Sequence, residues 1–262
     1  MPYADNRGVR IHYEVEGEGP PLVIQHGFTD SIQTWYELGY VDALKPENRL
    51  ILVDARGHGA SDKPHDPESY KPECNVADII SVLTDLDIPR AHFFGYSMGA
   101  WIAFAMAQHA PDHVHAFIIG GGSPYPSAAR PEALQQHQRA QLDSLAASGV
   151  EAIPAIWGVP LPPPLKARLL TNDVQALIAV RTQRLVSPGF AAILPRMTMP
   201  CLVFAGEADP AYPRIQEFVT LMPHATFFSL PGLGHADTFF RSALVLPHVI
   251  QFLEKINRRS LR

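Results

Sequence analysis

The sequence is poor in cysteine and has no excess of basic residues. Its two cysteines, Cys74 and Cys201, lie far apart, and no Cys-x-x-Cys pair is present. A fold stapled by disulfides and a zinc or redox site built on cysteine pairs are therefore excluded. The 21 basic and 26 acidic residues give a formal charge of −5, which offers no electrostatic attraction to nucleic acid or to an anionic membrane surface.

Long apolar runs are also absent. The longest, around Trp101–Ala107 and Ala116–Ile119, fall far short of the roughly 20 residues that a membrane-spanning helix requires. The N-terminal residues lack the apolar core of a signal peptide. We therefore expect a cytoplasmic protein with neither nucleic acid nor membrane among its partners.

The chain does contain enough apolar material for one α/β domain with an inserted subdomain. Of its 262 residues, 47% are apolar and 18% are charged. The segment Val9–Val15 alternates as a half-exposed strand does. Six short apolar runs are typical of strands buried on both faces: Leu22–Ile24, Arg49–Val53, His92–Gly95, His115–Ile119, Cys201–Ala205 and Ala225–Leu230.

Helical patterns separate these strands and predict a parallel sheet covered on both faces. Asn75–Leu86 has one apolar face, with Asn75 in position to cap it, and Met98–His109 is almost wholly apolar. Pro213–Met222 and Asp237–Ile256 indicate two later helices.

The alternation of strands and helices breaks between residues 123 and 196. That segment contains helical stretches separated by proline-rich turns, and no strand-like run. Because its size is at the lower end for a domain, we interpret it as a helical cap insertion. The predicted organisation is a core of residues 1–122 and 197–262 with a cap of residues 123–196.

One pentapeptide, Gly95-Tyr96-Ser97-Met98-Gly99, has the pattern Gly-x-Ser-x-Gly between a strand and a helix. In that setting the serine sits on a sharp turn above the sheet, and the two glycines remove Cβ atoms that would clash with backbone. A plain strand-to-helix turn is the alternative. The context favours Ser97 as a nucleophile.

A serine nucleophile needs a base to accept its proton and an acid to orient that base. His235 and Asp209 each follow a predicted strand, and the carboxyl ends of parallel strands share one edge of the sheet. The order Ser97, Asp209, His235 is the expected one for this turn. Glu207 and Asp237 are alternatives for the acid, and the loop position favours Asp209.

An oxyanion needs two backbone donors. The amide of Met98 stands at a helix N-terminus, where the dipole helps. The second donor should come from the loop after Leu22–Ile24, and we choose the amide of Phe28, whose ring alternatively packs in the core.

Together these segments resemble the α/β-hydrolase-fold superfamily along nearly the whole chain. The matching pieces are His26-Gly27-Phe28, Asp54–Ser61, Gly95–Gly99, Gly206–Asp209 and Gly234-His235. The resemblance implies an α/β fold with a mostly parallel eight-stranded sheet, helices on both faces, and a serine carboxylesterase-like activity. Relatives with haloalkane dehalogenase or epoxide hydrolase activity use aspartate at the position that Ser97 occupies in this turn, so the serine argues against both activities.

The resemblance also implies that Arg56 and His58 hold the loop Asp54–Ser61 together and have no catalytic role. The spacing of His26, Asp54 and His58 matches no compact metal-ligand motif. The acyl-transfer chemistry requires neither a metal nor a cofactor.

The cap should roof the substrate pocket. The candidate substrate-binding residues are Tyr125, Trp157 and Leu161, with Ile153, Ile156 and Leu165 as further wall residues. These are mostly apolar, which favours an apolar substrate portion, although they could equally form the core of the cap. Four arginines could select a charged group or simply lie on solvated helix faces: Arg130, Arg139, Arg181 and Arg184.

The sequence therefore predicts a hydrolase of small to medium, mainly apolar carboxylic esters that acts through an acyl-enzyme on Ser97. A lactonase, amidase, C–C bond hydrolase or cofactor-free perhydrolase would use the same triad and differ in the pocket. A hydrolase-like ligand receptor is an alternative of another class, against which the complete triad argues. The predicted partner is a small ester-like molecule, and no pattern indicates whether the chain forms a homo-oligomer.

Overall fold

One sheet forms the centre of the fold in the computed structural model, which describes residues 2–129 and 132–260. Its eight strands in the described ranges are β1 (Tyr3–Asn6), β2 (Val9–Glu16), β3 (Pro21–Gln25), β4 (Arg49–Val53), β5 (Ala91–Tyr96), β6 (Val114–Gly120), β7 (Cys201–Gly206) and β8 (Ala225–Leu230). They lie in the order β1-β2-β4-β3-β5-β6-β7-β8. The pairs β1–β2 and β2–β4 are antiparallel and the others are parallel. The predicted mostly parallel, eight-stranded sheet is confirmed.

Helices cover both faces of this sheet. They are α1 (Gln33–Glu37), α2 (Tyr40–Leu44), α3 (Pro72–Asp85), α4 (Met98–His109), α5 (Glu132–Ser148), α6 (Ile153–Trp157), α7 (Pro163–Leu169), α8 (Val174–Val186), α9 (Tyr212–Val219), α10 (His235–Phe240) and α11 (Ser242–Ser260). Side chains of α3, α4 and α9 pack on one face, and those of α1, α2, α10 and α11 pack on the other. None of the helices in the described ranges has the length and hydropathy that a bilayer crossing requires.

The central strands are apolar along their whole length because both of their faces are covered. On β5, Phe93 belongs to the cluster with α3 and α4, whereas Phe94 packs against Trp35 and Tyr40 of the opposite layer. Residues 99–107 of α4 are all buried, which explains why that helix has no polar stripe.

Several boundaries differ from the sequence prediction. Helix α3 begins at Pro72 rather than Asn75, because proline suits the first helical turn. Asn75 is a residue within the first turns of this helix, and its side chain donates hydrogen bonds to the carbonyls of Tyr70 and Lys71. The predicted helix Asp237–Ile256 is divided into α10 and α11, since Arg241 leaves the helical conformation.

The segment between β6 and β7 carries α5 to α8, and the predicted cap of residues 123–196 falls within it. These helices enclose a small apolar cluster of their own: Leu145, Ala152, Ile153, Leu165, Leu169 and Leu177. Ile153 and Leu165 therefore form the interior of the cap, which was the alternative to their being pocket walls.

Two buried histidines should make the fold sensitive to acid. Burial lowers the pKa of His58 to about 3 and that of His92 to about 4. An unfolded chain protonates histidine near pH 6.5, so below that pH it binds protons that the folded chain does not. We expect urea unfolding to show a free energy lower by roughly 1 kcal/mol per histidine at pH 5.5 than at pH 7. In His92→Gln this difference between pH 5.5 and pH 7 should be smaller by about 1 kcal/mol. An unchanged pH dependence of the unfolding free energy would contradict the lowered pKa of His92.

Candidate active site

Ser97 occupies a strained turn between β5 and α4. Its backbone has φ 55° and ψ −105°, a conformation that few residues other than glycine adopt. A Cβ on Gly95 would lie 2.2 Å from the carbonyl oxygen of Gly99, and one on Gly99 would lie 2.1 Å from that of Gln25. The two glycines of the pentapeptide are thus required because backbone packs directly against them. The Ser97 amide donates to the Gly120 carbonyl at 2.9 Å, which ties the turn to β6.

Three side chains that are remote in sequence meet above this turn. The Ser97 hydroxyl lies 2.9 Å from Nε2 of His235, and Nδ1 of the same ring lies 2.6 Å from Oδ2 of Asp209. The Asp209 carboxylate is buried, while the imidazole is 42% exposed. This arrangement leaves the serine open to substrate and holds the acid away from water. An Nδ1–H that donates to Asp209 leaves Nε2 as the acceptor for the serine proton.

The two alternative acids stand apart from this contact. Glu207 is exposed and accepts a hydrogen bond from the Ser229 hydroxyl at 2.8 Å. Asp237 lies in the first turn of α10. Asp209 also accepts the Ala211 amide at 2.8 Å, so its carboxylate is fixed from two sides.

Tyr96, which the sequence analysis did not single out, supports the histidine. Its hydroxyl donates to the His235 carbonyl at 2.6 Å, and its ring stacks on Phe239 at 4.7 Å between centroids. Burial raises the pKa of the Tyr96 phenol well above its usual range, so the group remains a neutral donor. Tyr96 stands at a variable position of the pattern Gly-x-Ser-x-Gly, and such a position does not predict a role for the residue that occupies it.

The loop that follows β3 lies against Ser97. A Cβ on Gly27 would stand 3.4 Å from the Cβ of Ser97, and both Phe28 and Met98 line the cavity above the serine. Met98 opens α4, where the first amides have no partner within the helix. The structure therefore brings both predicted donor residues to the serine.

The cap holds this loop in place. Thr29 is buried and has a φ of 66°, which is unfavourable for a β-branched residue. The Asn172 side chain donates to the Thr29 carbonyl at 2.9 Å, and the Trp157 indole donates to its hydroxyl at 3.0 Å. Arg168 reaches Asp30 at 3.2 Å and the Ser31 hydroxyl at 2.8 Å. Sequence reasoning missed Asn172 and Arg168, because isolated polar residues in a cap give no signal.

The loop after β4 is held by a buried ionic network. Arg56 contacts Asp78 at 2.5 and 2.6 Å. Asp54 accepts from His12 at 2.8 Å and from the amides of Ile32 and Ala60 at 2.9 Å. These donors hold the pKa of the Asp54 carboxyl below its usual value in spite of its burial. Within residues 2–129 and 132–260, no group of three or more histidine, cysteine, aspartate or glutamate side chains is arranged to hold a metal ion.

A cavity of about 320 Å³ opens beside Ser97, Asp209 and His235, between the sheet edge and the cap. Trp157 and Ile156 line it as predicted, but Tyr125 and Leu161 do not. The Tyr125 ring instead lies under Arg214, 5.1 Å away, and its hydroxyl donates to Glu217. Leu161 packs against the apolar cluster of the cap.

The cap side of the cavity is more polar than the sequence predicted. It is lined by two of the four named arginines, Arg181 and Arg184. Arg139 is exposed and lies elsewhere, and Arg130 lies outside the described residues. The remaining polar lining from residues 123–196 is Ser123, His137, Gln138, Gln141, Gln183 and Ser187.

A comparison against known protein families agrees with the observed fold. The family model for the α/β hydrolase fold matches residues 20–173, which is more than half of the chain. The chain belongs to the α/β hydrolase fold family. The matched segment includes the Phe28 loop and the Ser97 turn.

Proteins of known name or structure also align with almost the whole chain. A Bacillus subtilis (strain 168) protein, for which 2-succinyl-6-hydroxy-2,4-cyclohexadiene-1-carboxylate synthase activity has been proposed, is 28% identical over 94% of this chain and 96% of its own. The enol-lactonase from Burkholderia xenovorans LB400 covers 97% of this chain and 100% of its own, with a TM-score of 0.84 and 22% identity. The esterase EaEST from Exiguobacterium antarcticum covers 96% and 98%, with a TM-score of 0.85 and 18% identity. At such identities the two solved structures show the fold alone.

Proposed function

We propose that this chain is a serine hydrolase that cleaves small to medium carboxylic esters through an acyl-enzyme on Ser97. The observation that carries the proposal is the continuous contact from the Ser97 hydroxyl to His235 and on to Asp209, at 2.9 and 2.6 Å. A nucleophile, a base and an orienting acid in hydrogen-bond reach are the groups that acyl transfer needs.

In the first half-reaction, Nε2 of His235 accepts the Ser97 proton as the serine oxygen attacks the ester carbonyl. The carbonyl oxygen becomes an oxyanion that accepts hydrogen bonds from the amides of Phe28 and Met98, each worth on the order of 3 kcal/mol. The Asp209 carboxylate stabilises the imidazolium. The ester C–O bond then breaks, and the leaving alcohol takes the proton from Nε2.

In the second half-reaction, His235 accepts a proton from water as the water attacks the acyl-enzyme carbonyl. The same two amides bind the second oxyanion. Breaking the bond to Ser97 releases the carboxylic acid and returns the proton to the serine. Each step uses protein groups and water, so the proposal calls for neither a metal nor a cofactor.

A lactone is a cyclic ester, and the same acyl-enzyme would open it. The enol-lactonase from Burkholderia xenovorans shares the fold, so lactones belong among the substrates to be tested. The cap brings polar side chains to the cavity beside apolar walls such as Trp101, Ile156 and Trp157, so esters with an apolar section and a polar end belong among the expected substrates.

The proposal is tested with chromogenic esters, lactones and anilides of matched acyl length, together with a serine-directed fluorophosphonate. We expect multiple turnovers on esters, faster than on anilides, and labelling at Ser97. Fast lactone opening with weak ester cleavage would move the assignment to a lactonase. Absence of both turnover and labelling would overturn the proposal and favour a ligand receptor.

Asn172 is expected to act as a positioning residue for the Phe28 amide. Asn172→Ala removes the hydrogen bond that holds the Thr29 carbonyl, and the unfavourable φ of Thr29 should then relax. We expect kcat for esters to fall about tenfold, the worth of one well-made hydrogen bond, with little change in KM. The matched control is Thr171→Ala, which removes a hydroxyl that donates to the Arg168 carbonyl within the cap. An unchanged kcat in Asn172→Ala would contradict the role.

A further inference from the structure

The cap end of the cavity concentrates positive charge close to Ser97. Arg181 and Arg184 lie one turn apart on α8, and both line the same cavity as the serine. The acidic residues that line this cavity, Asp30 and Asp209, are each bonded to a cationic or imidazole partner. A ligand in the cavity therefore meets two guanidinium groups from the cap.

Aromatic rings orient both guanidinium groups near the nucleophile. The Arg184 guanidinium carbon lies 3.2 Å from the centroid of the Trp101 ring, and Trp101 follows Ser97 by one turn of α4. The Arg181 guanidinium carbon lies 4.2 Å from the centroid of Phe28, and its Nη2 donates to Gln141 at 2.9 Å. The partners in these contacts, Trp101, Phe28 and Gln141, are neutral, so none of them cancels the positive charge of the guanidinium that it holds.

A second, independent observation comes from two buried polar atoms in the same wall. Ser187 is 4% exposed and Gln138 is 7% exposed, and both line the cavity. Neither the Ser187 hydroxyl nor the Gln138 side-chain carbonyl has a hydrogen-bond partner within the described part of the chain. Buried polar atoms normally have partners. The Ser187 hydroxyl can donate to an acceptor group of a ligand, whereas the Gln138 carbonyl can only accept, from a separate donor group.

We propose that this wall is a carboxylate-binding subsite, formed by Arg181, Arg184 and Ser187, and that the preferred ester carries a free carboxylate besides the bond that is cleaved. The inference rests on the proposed function and narrows its substrate class. Arginine binds carboxylates through paired, charge-assisted hydrogen bonds, and the Ser187 hydroxyl supplies a further donor. The apolar section of the substrate then spans Trp101, Ile156 and Trp157, which line the cavity.

Matched esters that differ in charge test the subsite. Monomethyl esters of succinic, glutaric and adipic acid carry a carboxylate on the acyl side, and the dimethyl esters are their neutral counterparts. 4-Acetoxybutanoate carries a carboxylate on the alcohol side of its acetate ester, and methyl 4-acetoxybutanoate is its neutral counterpart. We expect at least one charged ester to exceed its neutral counterpart about tenfold or more in kcat/KM. Equal values for every pair, with esters still hydrolysed, would overturn the subsite and leave the proposed function standing.

Substitutions then assign the preference to the arginines. Arg184→Gln and Arg181→Gln should each bring the ratio of charged to neutral ester close to one, chiefly through KM, and Arg184→Lys should retain part of it. Arg139→Gln removes the same charge from an exposed site on the cap and should leave the ratio unchanged. If Arg184→Gln does not fold, Arg181→Gln and Ser187→Ala carry the test. A preference that survives all substitutions would overturn the proposal.

Binding to an inactive variant separates the subsite from catalysis. Titration calorimetry with Ser97→Ala compares adipate with 1,6-hexanediol, which has the same chain length and no charge. We expect adipate to bind at least tenfold more tightly and Arg184→Gln in that background to abolish the difference. This result would support the subsite even if no ester were hydrolysed, whereas equal binding of the two compounds would overturn it.

Discussion

Replacing Ser97 with alanine is expected to reduce kcat for esters by about 10⁴- to 10⁶-fold. The hydroxyl is the atom that would form the acyl-enzyme, and its contact with His235 at 2.9 Å has no counterpart once the oxygen is removed. The activity that remains should come from the oxyanion donors and binding alone. Alanine fits the same turn, so the unfolding midpoint should stay within a few degrees.

A second serine of the cavity provides the control. Ser123 also lines the cavity and is buried, and its hydroxyl accepts the Tyr125 amide at 3.4 Å. We expect Ser123→Ala to keep both ester turnover and fluorophosphonate labelling, and Ser97→Ala to lose both. Near-native turnover by Ser97→Ala would rule out the acyl-enzyme.

Asp209→Asn is expected to lower kcat by about 10³- to 10⁴-fold, with a smaller effect on KM. The carboxylate accepts the Nδ1 proton of His235 at 2.6 Å and thereby keeps Nε2 available to the serine. An asparagine can present its amide N–H to Nδ1, which favours the tautomer with the proton on Nε2. That tautomer cannot accept the serine proton, although the atoms remain in similar places.

Two isosteric substitutions separate this role from a general loss of negative charge. Glu207→Gln and Asp237→Asn each remove one charge near the same strand ends, but neither residue contacts the imidazole in the way that Asp209 does. We expect both variants to retain kcat within about threefold, because an isolated surface charge contributes little. A loss in Glu207→Gln or Asp237→Asn as large as that in Asp209→Asn would move the acid to that position.

The loop that carries Phe28 and the cap are connected in this structure. Thr29 stands beside Phe28 and receives hydrogen bonds from Asn172 and Trp157 of the cap. Arg168 anchors the same cap to Asp30. The cap therefore holds the loop that carries Phe28 and also lines the cavity. We expect substitutions at its contacts with the loop to change kcat, and substitutions at the cavity wall to change substrate preference.

Sequence patterns predicted the central strands because a short run of consecutive apolar residues is typical of a strand that is covered on both faces. They also predicted that Ser97, Asp209 and His235 would converge, since each follows a strand whose carboxyl end meets the same sheet edge. They did not predict β1, whose four residues bury little apart from Ala4. Its position follows from the turn at Arg7 and Gly8, both with positive φ, which returns the chain antiparallel onto β2.

The pocket wall differs more from the sequence prediction than the positions of Ser97, Asp209 and His235 do. The sequence predicted Tyr125, Trp157 and Leu161 as substrate-binding residues, with Ile153, Ile156 and Leu165 as further wall residues. The cap instead uses Ile153 and Leu165 for its own core and turns polar side chains toward the cavity. Which face of a cap helix meets the core depends on how α5 to α8 pack together. A short amphipathic helix carries its pattern in the sequence, but the pattern does not identify the surface that it will meet.

The sequence by itself determined the central strands of the sheet, the glycines that permit the strained turn, and the chain order of Ser97, Asp209 and His235. These follow from local chain geometry and from the shared edge of parallel strands. Only the tertiary structure decided that Asp209 rather than Glu207 or Asp237 contacts His235, and that Arg181 and Arg184 face the cavity. The physical reason is that such contacts are distances between segments remote along the chain, fixed by the packing of whole helices rather than by the residues next to them.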